Sequence, residues 1–419
     1  MGVDPNLRDP YILNWNFGIQ HAFTNNLSLE VGYVGNHGSR LFGIRDINQA
    51  PLGAGWCQNS PLTAAQIADA CKLGPTAPPK PFNSQAAQEA RPYFNSFPYL
   101  GFINRASNNV HSNFNSLQVT LTQRASHGLS FTAGYTFAHG LDNGSLNRFG
   151  LLPQNSNNTG AEYGSSDFDI RQRFTLTTTY NIPGVKGYGQ LLQGWQVNSI
   201  YTYQTAQPWS LWDGGNNFDG TGENAYRWDL FGSPDGFRSS ATSIPFCNGF
   251  GVDPVTLKPT TVSVSCSQQA GTLANSTPLP KSLGDKCATL TTDPNTLKNA
   301  GCYVTNNGVI VPAALNHFGN MGRNIFRDSG FKNWDLSVFK NFTFKEQFSA
   351  QLRVELFNVL NHPNIANPYG ASNFGGIGDT LNSSGTFGCG CGTPDVIAGN
   401  NLIGSGSARV MQVGLKLKF

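Results

Sequence analysis

Nine stretches of this 419-residue chain alternate apolar and polar side chains at a spacing of two, and the last, which does so strictly, runs to the final residue. In the closing "MQVGLKLKF", Met411, Val413, Leu415, Leu417 and Phe419 share one face, while Gln412, Gly414, Lys416 and Lys418 share the other. A period of two is the geometry of a β-strand, whose successive side chains point to opposite faces. Strands are therefore expected near 13–23, 27–36, 115–125, 129–139, 171–182, 194–205, 333–342, 347–358 and 409–419. A further segment, "LFGIRDIN" at 41–48, is the place for a strand that this count misses.

Alternation alone does not say what the apolar face meets. In a β-sandwich it meets a second sheet; in an outer-membrane barrel it meets lipid, and the polar face lines the lumen. Three features favour the barrel. The runs approach the ~9–11 residues that cross a bilayer at a tilt, longer than the ~5–6 usual in sandwiches. Trp15, Tyr33, Tyr135, Tyr180, Trp195, Tyr203, Trp334 and Phe419 fall near strand ends on the apolar side, where interfacial girdles collect rings. Short connections ("TNN", "SH", "PGVKGYGQLLQG", "TFKE") alternate with very long ones at 37–113, 140–170, 206–332 and 359–408. Tight turns at one rim and long loops at the other are the pattern of an outer-membrane barrel, and compact soluble domains rarely carry such loops.

The resulting expectation is an all-β, antiparallel transmembrane barrel. By parity, strand nine ends on the short-turn side and strand one begins on the long-loop side. A single-chain bacterial barrel has an even strand count, and lipid does not tolerate an open edge. The chain is thus expected to be the C-terminal part of a larger barrel.

Composition agrees. Charged residues make up only 12%, while glycine is abundant at 48 residues. A net charge of +3 without any Lys or Arg block excludes a nucleic-acid partner. No run of apolar residues reaches the length of a transmembrane helix, and the start "MGVDPNLRDP" has no signal-peptide pattern.

Specific wording points further. "FGNMGRNIFRDSGFKNWDLSVFKNF", "QLRVELFNVLNHPNIANP", "DFDIRQRFTLTTTYNIP", "FNSLQVTLTQRASHGLSFTAGYTFAHGLD" and "VMQVGLKLKF" together resemble the C-terminal barrel of the Oar-like TonB-dependent outer-membrane transporters of acidobacterial type. The resemblance spans every expected strand and implies a parent barrel of about 22 strands around a plug. It implies uptake of an unidentified bulky nutrient, with TonB-type energy coupling only through an N-terminal region missing here. It also implies that Val413, Leu415, Leu417 and Phe419 form the terminal signal read by the barrel-assembly machinery. The expected partners are outer-membrane lipid, that machinery and the transported ligand, with no cofactor. The competing readings are a surface-exposed structural or adhesin-type barrel without transport, and a soluble secreted β-sandwich lectin.

All eight cysteines fall in the long connections, outside the expected strands. An even count there suggests disulfides in an oxidising compartment. Local pairs Cys57–Cys71, Cys247–Cys266 and Cys287–Cys302 are expected to pin their loops. Cys389 and Cys391 sit too close for an unstrained mutual bridge, and no second ligand pair accompanies them for zinc.

Other candidates read as ordinary surface. "WDGGNNFDGTGENAYRWD" places Asp213, Asp219 and Glu223 among glycines, but its spacing does not match an EF-hand, and a flexible solvated loop is expected. His139 and Asp142 lie close in sequence without GxSxG, HExxH or a P-loop, so an enzyme is not expected. Gln351, Arg353 and Glu355 are expected to face the lumen, the charged two in contact with a plug or substrate, in a salt-bridge ladder, or as an exposed pair worth little.

Overall fold

The computed structural model describes residues 2–56, 84–145, 152–185, 188, 190–213, 217–223, 226–238, 240–269, 276–345, 348–365, 378–380, 387–389 and 408–419. Nine long strands form one antiparallel meander in chain order: β1 (Tyr11–Ala22), β2 (Leu27–Asp46), β3 (Asn104–Ser126), β4 (Leu129–Asp142), β5 (Gln172–Asn181), β6 (Trp195–Gln204), β7 (Phe331–Lys345), β8 (Phe348–Phe357) and β9 (Val410–Lys418). Each strand pairs with its sequence neighbours, and among the described residues β1 and β9 are the two edges of an open sheet.

Register keeps the alternation in phase across the whole sheet. One row runs Ile19, Val31, Val119, Tyr135, Phe174 and Tyr203; another joins Val197, Val338, Val354 and Val413. A slip of one residue at any pair would turn that strand's apolar set to the other face. The apolar face is uncovered: Leu352 is 39% exposed and Leu415 66%. Side chains between two sheets would be buried, so the sandwich reading is overturned.

Strands β2 and β3 outrun their expected ends by about ten residues. The segment 41–46 is the continuation of β2, not a separate strand, and 104–114 belongs to β3 rather than to a loop. The extension escapes a period-two reading because register shifts between Gly38 and Gly43, with Arg40 in the left-handed region at φ 55°. A bulge resets which side chain faces where. At the opposite rim the β3–β4 hairpin closes through His127 (φ 51°) and Gly128 (φ 84°), the double positive φ of a tight hairpin turn. Lys340, on the apolar face near that rim, donates to the carbonyls of Gln190 and Gln193 and lies 5.6 Å from the Trp195 ring. Its charge thus leaves the apolar band through the turn beneath.

The β6–β7 connection is not a bare loop. It folds into a six-stranded sheet, ordered Asp229–Gly232, Gly308–Val311, Cys302–Val304, Phe246–Asn248, Ser265–Gln269 and Ser276–Leu279. A short helix α1 (Ser84–Glu89) precedes it in the chain, and α2 (Ser282–Leu290) and α3 (Pro294–Ala300) pack on the module. Asp293 caps α3 by accepting from the Asn295 and Thr296 amides, with Pro294 at its first position and Gly301 (φ 73°) ending it. Disulfides join Cys247 to Cys266 and Cys287 to Cys302. These cysteines lie in short strands and a helix of the module, all within the long connection and outside the nine barrel strands. Cys389 is also disulfide-bonded, while Cys57, Cys71 and Cys391 lie outside the described residues.

Among the described residues, most of the buried apolar core belongs to this module and not to the barrel. Trp209, Trp228, Phe237, Tyr303, Phe326 and Phe387 are nearly inaccessible and form one cluster. A barrel sheet has lipid for its apolar side, whereas a loop module in water must bury its own.

Candidate functional site

At the long-loop rim the outer face changes character. Below, it carries Phe17, Leu117 and Phe137; above, it carries Asn113, Asn115, His37 and His139. The boundary is marked by rings with polar tips. The Trp15 indole N–H reaches the Tyr33 hydroxyl at 3.5 Å, and that hydroxyl donates to Asn115 at 2.6 Å. His37 shares a 2.7 Å hydrogen bond with Asn113, whose amide donates to the Tyr163 hydroxyl at 2.9 Å. Amphipathic rings at such a level are the interfacial girdle of a membrane barrel.

Above the girdle, a cleft of about 720 Å³, including its open mouth, lies between the extended β2–β3 ribbon, residues 143–145 and 152–167, and the module. Ile44, Val110, Leu152, Leu211 and Trp212 supply apolar wall, and Glu162, Asp167, Arg227 and Arg323 supply charge. Both arginines are engaged. Arg227 pairs with Glu162. Arg323 donates to the Asp142 carbonyl at 2.5 Å and carboxylate at 2.7 Å, to Ser145 Oγ at 2.9 Å and to the Glu162 carbonyl at 2.9 Å. Asp167 lies 3.4 Å from the same guanidinium and accepts from the Asn324 amide at 2.6 Å. Burial nevertheless pushes Asp167 up to about 6, the Asn324 and Arg323 contacts only partly opposing it.

A parallel clasp sits beside it. Arg327 meets Asp169 at 2.7 Å, and Asp169 also accepts from the Gly140 amide at 2.9 Å and faces His139 Nδ1 at 3.2 Å. Burial opposes ionisation of Asp169, but the Gly140 amide, Arg327 and His139 outweigh it and hold the carboxyl low. The expected proximity of His139 to Asp142 is thus not an interaction: His139 pairs with Asp169, and Asp142 with Arg323.

Of the other sequence candidates, Gln351, Arg353 and Glu355 lie on the face opposite the apolar one, in register with Asn341, Phe339 and Ser337. The salt-bridge ladder does not form. Arg353 donates to Gln351 Oε1 at 2.5 Å and its guanidinium lies 5.0 Å from the Phe339 ring, because Gln351 presents an acceptor on the same face one step along. Val413, Leu415, Leu417 and Phe419 are exposed along edge strand β9.

The largest departure is at 213–223. Asp213, Asp219 and Glu223 are buried, not solvated and flexible. The loop 51–56 docks on them through Gly53 and Gly55 amides donating to the Asp219 and Gly220 carbonyls at 2.7 Å each. Trp56 seals the contact, its indole N–H donating to the Asn217 carbonyl at 2.7 Å. No local pattern announces this burial, since glycine and carboxylates read as solvated when the docking partner is 161 residues away in the chain.

The sheet, its lipid-type outer face and its girdle define an outer-membrane β-barrel, and the chain belongs to the outer membrane beta barrel domain family, whose model matches residues 1–389. The protein resides in the outer membrane. Among solved structures it is similar to the outer membrane transporter YddB from Escherichia coli, at 10% identity and a TM-score of 0.36, covering 99% of this chain and 33% of that one. It is also similar to the ferripyoverdine receptor of the outer membrane of Pseudomonas aeruginosa bound to ferripyoverdine, at 10% identity and a TM-score of 0.29, covering 86% and 26%. The chain thus spans a third or less of each of these proteins. No curated protein matches it.

Proposed function

We propose that this chain is part of a TonB-dependent transporter of the Oar-like type, importing a bulky nutrient rather than chemically transforming it. The observation that carries the reading is the open meander: among the described residues β1 and β9 have no partner on their outer sides, though the face between them is built for lipid. Unpaired strand edges are not stable in hydrocarbon, so closure needs further strands, and a wider barrel has the lumen that a bulky solute requires. In this reading the disulfide-bonded module and the cleft face the cell exterior. TonB-type coupling acts through an N-terminal region outside this chain, and the barrel-assembly machinery engages β9 through Val413, Leu415, Leu417 and Phe419.

The adhesin-type alternative shares the barrel and the loops but needs no energy. Disrupting the gene and profiling the spent medium by mass spectrometry separates them. Transport predicts that at least one large solute stays unconsumed by the mutant, and that a protonophore abolishes its consumption by the parent strain. Unchanged consumption with lost surface attachment would overturn it.

A further inference from the structure

We propose that Asp219 and Glu223 are the carboxylate ligands of a bound divalent cation of the calcium class, held where the module docks against the extended end of β2. Glu223 is 0% exposed, and neither of its carboxylate oxygens meets a hydrogen-bond donor. Its nearest positive group, Arg91 Nη1, stands 3.6 Å away and is committed elsewhere, to Asp46 Oδ2 at 3.1 Å and the Asn48 carbonyl at 2.8 Å. Asp219 is 2% exposed; its Oδ1 accepts from the Thr221 amide and hydroxyl at 2.9 and 3.0 Å, and its Oδ2 has no partner.

Charge is out of balance in the same place. Asp46 and Glu223 share the Arg91 guanidinium, and Asp219 stands near enough to oppose the ionisation of Glu223 as well. Buried charges of one sign persist only when paired or when they coordinate a metal. Protonation answers half the problem. It removes charge, and burial with the nearby Asp46 carboxylate does push Glu223 up to about 9. It lets Glu223 donate to the neighbouring Asp46 carboxylate, but leaves its second oxygen and Asp219 Oδ2 without a donor. A divalent ion supplies the charge and the missing contacts at once.

The donor set selects the ion. Among the described residues no three Asp, Glu, His or Cys side chains converge into a ready-made cage. Two carboxylates must therefore be completed by neutral oxygens and water, which suits a hard cation and not zinc. Asp219, Thr221 and Glu223 present oxygens at alternate positions, and Gly220 and Gly222 between them take φ of 73° and 75°.

Terbium luminescence tests this on the intact outer-membrane protein purified in detergent micelles. Trp228 donates its indole N–H to Asp213 Oδ2 at 2.7 Å, and Trp56 covers the Asn217 and Phe218 carbonyls, so both indoles can sensitise a bound lanthanide. The expected result is saturable, tryptophan-sensitised emission displaced by calcium and about tenfold less readily by magnesium, with Glu223→Gln weakening terbium binding about tenfold or more. Absence of calcium-displaceable emission from the wild-type chain overturns the proposal without recourse to a variant. So does a folded Glu223→Gln protein that binds terbium like the wild type.

Discussion

Arg323 and Asp142, 181 residues apart in the chain, are joined by a 2.7 Å charge-assisted hydrogen bond that fastens the module to the end of β4. Asp142 and Asp167 are both buried beside this guanidinium. Arg323→Met leaves two buried carboxylates without their counter-charge, and we expect a loss of about 3–5 kcal/mol. Arg323→Lys should recover only part, because an ammonium cannot reproduce the planar fork. Urea unfolding in micelles, followed by tryptophan fluorescence, measures both.

Adjacent residues on β4 test which face meets lipid. Phe131 shares its row with Thr178 on the apolar face, whereas Thr132 points to the opposite face. Phe131→Arg should cost about 2–4 kcal/mol in lipid vesicles, and Thr132→Arg little. Equal costs, measured by urea titration of vesicle-embedded protein, would contradict the assigned faces.

The Cys287–Cys302 disulfide closes a 15-residue separation between α2 and the edge of the central strands of the module. Replacing both by Ser should lower module stability by about 3 kcal/mol. Barrel strands should keep their protection, so hydrogen exchange should speed up within 229–311 while β4 and β5 stay slow. Uniform acceleration would show that barrel and module unfold as one.

Burial raises Asp219 to about 7, and burial with the Asp46 carboxylate raises Glu223 to about 9. Both folded values lie above the ordinary ones, so the folded state binds more protons than the unfolded state between about pH 4 and 9. In chelator-treated protein, stability should therefore be greatest near pH 5 and fall as pH rises through that window. Glu223→Gln should flatten the alkaline part of the curve. Thermal unfolding at a series of pH values reads the slope.

Much of the barrel was legible along the chain, because strand pairing in a meander is local and a period of two is a purely local property. Leu129, Phe131, Ala133, Tyr135 and Phe137 announce a one-sided strand whatever surrounds them. The same argument lost β2 beyond Gly38, where the bulge at Arg40 breaks the phase. Loops told least. The stretch around Asp219 and Glu223 has the composition of a solvated turn, and only its docking under Gly53 and Trp56 removes it from water. His139 stands three residues from Asp142 yet answers to Asp169, since β4 delivers one to the outer face and the other to the module.

What the order of residues determined by itself was the number of strands, their succession and the face each turns outward, since these follow from side-chain alternation and neighbour-to-neighbour pairing. Only the tertiary structure decided which charges meet. Arg323, Arg327 and Arg91 find their carboxylates across tens to hundreds of residues, where burial strengthens each contact and no periodicity records it.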